Sequence, residues 1–154
     1  MKPLIACVDR YDGVFAMTAD GLIACTSKFG PKETVDRLAA AVTTRGISIM
    51  ARIDHAAAAA AVGMELRPTE LLIFGNPRAG TPLMQDVQTV AIDLPLKALV
   101  WQDEGGTTWL AYNDPQWLAK RHGIDVGLDR TLHAMADALV AVAGEATAAS
   151  ARKP

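Results

Sequence analysis

Asp54-His55 stand where an alternating segment gives way to a run of alanines, a carboxylate beside an imidazole at a point where proton transfer could be carried out. An imidazole titrates near physiological pH, so His55 oriented by Asp54 could serve as an acid/base group or a ligand contact. The plainer reading makes Asp54 the cap of the alanine-rich helix and His55 a surface residue in its first turn. Asn76-Pro77 is the second candidate, because an Asn amide offers both a donor and an acceptor and Gly75 permits close backbone approach. The same pair also suits a sharp turn at a strand end. Lys97 shares a strand face with Leu99 and Trp101, which makes it either an ammonium snorkelling at the sheet edge or an anion contact in an aromatic-lined pocket. Asn113-Asp114 ends the partner strand, with Asp114 placed to cap a helix opened by Pro115.

Asp54, His55, Asn76, Lys97 and Asn113 are therefore the candidate ligand-binding residues. The leading expectation is a non-catalytic binding or regulatory module that holds a small polar or anionic ligand at one end of a sheet, with a homodimer as the assembly considered for it. An enzyme would instead use Asp54-His55 as an acid/base pair, with Asn76 or Lys97 stabilising developing negative charge. A structural or interaction protein would assemble through its sheet face or edge. No catalytic residue is assigned, and the cofactor is unknown.

Several chemistries lack a sequence basis. Gly75-Asn76-Pro77-Arg78-Ala79-Gly80 has no terminal Gly-Lys-Ser/Thr and is not a phosphate loop. His55, His122 and His133 show no HExxH or other paired ligand spacing, and no metal site is expected. His122 falls at a helix C-terminus, where the dipole favours it, and His133 lies beside an apolar stripe. Cys7 and Cys25 have no CxxC spacing and read as passive thiols. The scattered methionines read as core filling.

The elements that must position these residues follow from periodicity. Leu22–Phe29 reads as a strand ended by Gly30-Pro31. Val35, Leu38, Ala39 and Val42 then recur at helical spacing up to Gly46. Ile47, Ile49, Ala51 and Ile53 alternate with polar or larger neighbours, the period of a strand with two unlike faces. A short helix follows Asp54 and stops at Gly63, and Glu70–Gly75 forms a buried strand. Thr81-Pro82 reads as the start of another short helix. LKALVWQ and TTWLAY flank Asp103–Gly106 as a hairpin. Pro115 opens a short helix closed at Gly123, and Leu132, Met135, Ala136, Leu139, Val140 and Ala143 mark a long amphipathic helix. A sheet with a local antiparallel hairpin and two main helices predicts a single-domain α+β two-layer sandwich, helices on one face.

The chain is 51% hydrophobic, with 15 Lys+Arg against 17 Asp+Glu and a net charge of −2. That balance disfavours a general nucleic-acid or anionic-membrane binder. The alanine run is too short to span a bilayer, and Leu4–Val8 is too short for a signal-peptide core, so a cytoplasmic protein is expected. The expected partition is an N-terminal extension over 1–20, one domain over 21–145, and a flexible tail over 146–154.

Arg52-Ile53-Asp54-His55, Phe74-Gly75-Asn76-Pro77, Gly80-Thr81, Ala91-Ile92-Asp93-Leu94-Pro95-Leu96-Lys97 and Tyr112-Asn113-Asp114-Pro115, read in that order, resemble the domain-of-unknown-function 302 family from about Gly21 onward. The resemblance implies a fold like half of the TATA-binding protein, with a β-α-β-β-β-β-α core and an antiparallel sheet. It implies neither DNA binding nor an activity. Some relatives carry cysteine immediately before the Asn-Pro pair; Gly75 stands there in this chain, which removes the basis for a thiol mechanism at that position.

Overall fold

A computed structural model describes residues 15–148. Its strands are β1 (Phe15–Ala19), β2 (Leu22–Thr26), β3 (Ser48–Asp54), β4 (Thr69–Gly75), β5 (Leu96–Gln102) and β6 (Thr108–Asn113). The helices are α1 (Pro31–Thr44), α2 (His55–Ala61), α3 (Pro77–Asp86), α4 (Pro115–His122) and α5 (Asp129–Thr147), with a 3-10 turn at Gln88–Ile92 between α3 and β5. All the strands join one antiparallel sheet in the order β1-β2-β6-β5-β4-β3. The expected core is present as β2-α1-β3-β4-β5-β6-α5, and β1 adds a strand at its edge.

Period-two burial sets the two faces of the sheet. Cys25, Leu72, Phe74, Ala98, Val100, Leu110 and Tyr112 point to one side and pack against Val35, Leu38 and Val42 of α1 and Leu139, Val142 and Ala143 of α5. The core residues of β4 and β5 alternate along each strand, and those of β2 and β6 lie on the same side, as a sheet covered on one face requires. A second cluster, Leu83, Val90, Ala119, Leu132 and Met135, joins α3, the 3-10 turn, α4 and α5.

Three local expectations are corrected. Phe15–Ala19, assigned to an extension, is a sheet strand paired antiparallel with β2. The turn between them works because Gly21 adopts φ +75 and has no side chain: a Cβ there would lie 2.2 Å from the Trp117 ring. Ala146 and Thr147, assigned to the tail, are buried in the last turn of α5, where the packing surface of α1 continues past Gly144. Finally, α3 opens at Pro77 and not at Thr81-Pro82. The Asn76 carboxamide oxygen accepts from the Arg78 N–H at 2.9 Å, and Pro77 needs no donor at the first position, so the earlier start is the better capped one. Pro82 then sits inside the helix at the cost of one i→i−4 bond.

Candidate binding site

The five candidate residues do not converge. Asp54 accepts from the Ala57 N–H at 2.8 Å and caps α2. His55 is exposed in the first turn of that helix. Both lie at the end of the sheet where β3 pairs through Asp54 and Glu70, and Glu70 pairs with Val100. Asn76, Lys97 and Asn113 lie towards the other end. Lys97 pairs with Ile73, and Ala98 pairs with Tyr112, so continuing the β5–β6 register by one residue sets Asn113 beside Lys97 on the face away from α1 and α5. Lys97 Nζ turns back to donate to the Asp93 and Pro95 carbonyls at 3.0 and 3.1 Å. Partial burial holds its ammonium below the ordinary lysine range, an effect opposed by the nearby Asp93 charge. Lys97 therefore ties down the loop before its own strand. Asp114 likewise caps α4 through the Gln116 N–H.

The helix face of the same sheet end carries the main cavity, of about 650 Å³, and of the five candidates only Asn76 borders it. Its walls are α3, the start of β3, the Leu94–Leu96 segment and the first half of α5. Ile47, Met50, Met84, Leu94, Leu96 and Met135 make most of the lining apolar, and methionine lets such a wall adapt to different shapes. Gly75 fits the wall tightly: a Cβ there would lie 3.1 Å from Pro95 Cβ, so glycine is what lets the Leu94–Pro95 segment close onto the strand end.

The polar groups at this cavity are Asn76, Arg78, Thr81, Arg130 and Thr131. Asn76 is occupied as the α3 cap, and its carbonyl takes the Ala79 and Gly80 N–H groups at 2.9 and 3.0 Å, so no helix-terminal amide remains for a ligand there. Arg78 and Arg130 are both exposed, and among the described residues neither guanidinium has a hydrogen-bond or ion-pair partner. An arginine pair at an apolar chamber can receive a carboxylate or phosphate through paired N–H donors. Sequence reasoning missed both, because a lone arginine on an amphipathic helix looks like any solvated residue.

A second polar cluster joins Thr89, Asp93, Arg121 and His122. Thr89 Oγ1 lies 3.1 Å from His122 Nδ1, His122 Nε2 lies 2.5 Å from Asp93 Oδ2, and Arg121 donates to both Asp93 oxygens at 3.0–3.1 Å. Hydroxyl, imidazole and carboxylate follow one another as in a proton relay, yet none of these residues lines the chamber. The cluster fastens the 3-10 turn to α4, which accounts for His122 more fully than the helix dipole does. Among the described residues no group of His, Cys, Asp and Glu is arranged to hold a metal ion, and no helix is long and apolar enough to cross a membrane.

A single antiparallel sheet covered on one face by its two longest helices, with an apolar chamber at one sheet end, defines this as an α+β two-layer domain. The same architecture occurs in the crystal structure of an uncharacterized conserved DUF302 protein from Bacillus stearothermophilus, with a TM-score of 0.73 at 21% identity over 83% of this chain and 99% of that one. Residues 23–142 match the family described as domain of unknown function DUF302, and the chain belongs to that family. Curated relatives are a fluoride-specific ion channel FluC 1 from Brucella suis and another from Brucella abortus, each 44% identical over 126 residues, or 82% of this chain. The chain spans about half the length of these relatives, 50% and 47% respectively.

Proposed function

We propose that this domain is a non-catalytic binding module for a small amphipathic anion, with the ligand's apolar body in the chamber and its acid group between Arg78 and Arg130. The observation that carries this is the pair of unpartnered guanidinium groups at the edge of an otherwise apolar cavity. Buried apolar surface supplies affinity there, and charge-assisted hydrogen bonds set orientation. The chamber is far larger than a monatomic anion and its walls are apolar, so fluoride itself is a poor occupant. In the Brucella channels the matching region is about half of the chain, and a ligand-reporting segment within a channel protein fits a regulatory role.

Thermal unfolding with decanoate as probe tests this, with decanol as the uncharged control and acetate as the control without a body. A ligand that binds only the folded state raises apparent stability by about 2.7 kcal/mol at a hundredfold excess over Kd. Decanoate should shift the midpoint, and the Arg78→Ala/Arg130→Ala double variant should lose most of that shift. Equal shifts by decanoate and decanol would show that the arginines take no part.

A further inference from the structure

We infer that the chamber's ligand is a phosphate monoester of an aliphatic alcohol, a conclusion that rests on the anion-binding reading of the chamber and narrows it. Charge is the first ground. Among the described residues, Arg78 and Arg130 are the only ionisable side chains in the lining, which contains no Asp or Glu. The carboxylate next to Arg130, Asp129, is engaged by His133 at 3.1 Å and by Gln116 at 3.4 Å. Asp86, at the opposite end of α3 from Arg78, accepts the Asp125 N–H at 2.8 Å. The lining thus carries two positive charges and no counter-charge of its own. A carboxylate balances one of them, whereas a phosphate monoester carries about −1.5 to −2 near neutral pH and can balance both.

The count of acceptors points the same way. A guanidinium binds through paired N–H donors, and one such pair occupies both oxygens of a carboxylate. A phosphate monoester presents three acceptor oxygens, so two of its edges can each take a guanidinium fork. Two arginines supplied by two helices, α3 and α5, suit that acceptor better than a single planar acid group. Thr81 lies one turn after Arg78 on α3, and Thr131 follows Arg130; both also border the chamber, and either hydroxyl can donate to a further oxygen.

The walls define the body of the ligand. Their large side chains are aliphatic or thioether, and no Phe, Tyr, Trp or His is among the lining residues. A nucleobase would find no aromatic face to stack on, and the one side-chain amide, Asn76, already gives its oxygen to the α3 cap. A flexible alkyl or prenyl chain asks only for apolar surface that can adapt to it, which Met50, Met84 and Met135 supply.

Isothermal titration calorimetry of the full chain with decyl phosphate, decanoate, decanedioate and inorganic phosphate tests the inference. Decyl phosphate should bind at least roughly tenfold more tightly than decanoate, the worth of one further charge-assisted contact. Inorganic phosphate, a head without a body, should bind at least roughly tenfold more weakly than decyl phosphate. Arg78→Ala and Arg130→Ala, each alone, should erase most of the preference for decyl phosphate over decanoate. Both side chains are exposed, and an unchanged circular dichroism spectrum would verify that each variant folds. Decanoate binding as tightly as decyl phosphate overturns the phosphate assignment and leaves the anion-binding module standing. Tighter binding of decanedioate overturns it as well, since the arginines would then hold two separate acids, and so does inorganic phosphate that equals decyl phosphate. Absence of binding by all four probes removes the module and the phosphate assignment together.

Discussion

Individual polar residues in this domain serve the backbone more than they serve a ligand. Asp54, Asn76 and Asp114 each cap a helix, and Lys97 holds two carbonyls of the loop before β5. Asp54 and Asp114 were legible as caps at strand-to-helix junctions, whereas Asn76 read as a strand-ending turn and Lys97 as a snorkelling ammonium or an anion contact. The functional alternatives needed convergence in space, which local pattern does not encode. Gly21 illustrates a different residue-scale constraint. Its positive φ and the adjoining Trp117 ring mean that Gly21→Ala meets both backbone strain and overpacking. A loss of about 2–4 kcal/mol is expected, from about 1 for the conformation and about 1–3 for the clash, read as a lowered urea midpoint.

At the scale of elements, strand alternation and proline-plus-cap signals located most of the fold. The hairpin between β5 and β6 falls on the expected residues because two strand-like apolar runs flank the polar turn Asp103-Glu104-Gly105-Gly106. The start of α3 was misplaced because two cap-and-proline signals lie five positions apart, Asn76-Pro77 and Thr81-Pro82, and the structure uses the first. The alanine helix α2 was read correctly, yet it buries none of its residues. Its order depends mainly on the Asp54 cap and helix propensity. Asp54→Ala should therefore cost about 1 kcal/mol locally and speed amide exchange within α2 about fivefold, with decanoate binding unchanged. His55→Ala should likewise leave binding unchanged. Loss of binding in either variant would move the site to the opposite end of the sheet.

Across the whole molecule, the core contains a thiol and a phenol that resist ionisation. Burial pushes the Cys25 thiol from 9.0 up to about 11, partly offset by a hydrogen bond from Thr147, and burial also raises the Tyr112 hydroxyl. The native state then keeps a Cys25 proton that the unfolded chain has released, so this contribution to stability is complete below pH 9.0 and declines as pH rises towards about 11. The loss should approach about 1.4 kcal/mol per pH unit in that window. Urea unfolding at its two ends should show the decline, and Cys25→Ala should remove the part below pH 10, where the Tyr112 hydroxyl does not yet contribute. A slope identical in the variant would assign alkaline sensitivity elsewhere. The chamber was not legible at this scale because its walls come from β3, α3, the Leu94–Leu96 segment and α5, and Arg78 and Arg130 reach it from two helices far apart in sequence.

The face of the sheet away from the helices carries one more consequence. Trp101 and Trp109 pair across the hairpin with ring centroids 6.1 Å apart and planes within 15°, and the Trp109 indole N–H is held by Asp103 at 2.8 Å. Two nearly parallel indoles that close couple their electronic transitions, and the coupling vanishes once the strands part. The hairpin thus carries an intrinsic chromophore pair: its exciton signal in circular dichroism reports the closure of β5 on β6 separately from the third tryptophan, Trp117, which reports the β1–β2 turn through its contact with Gly21.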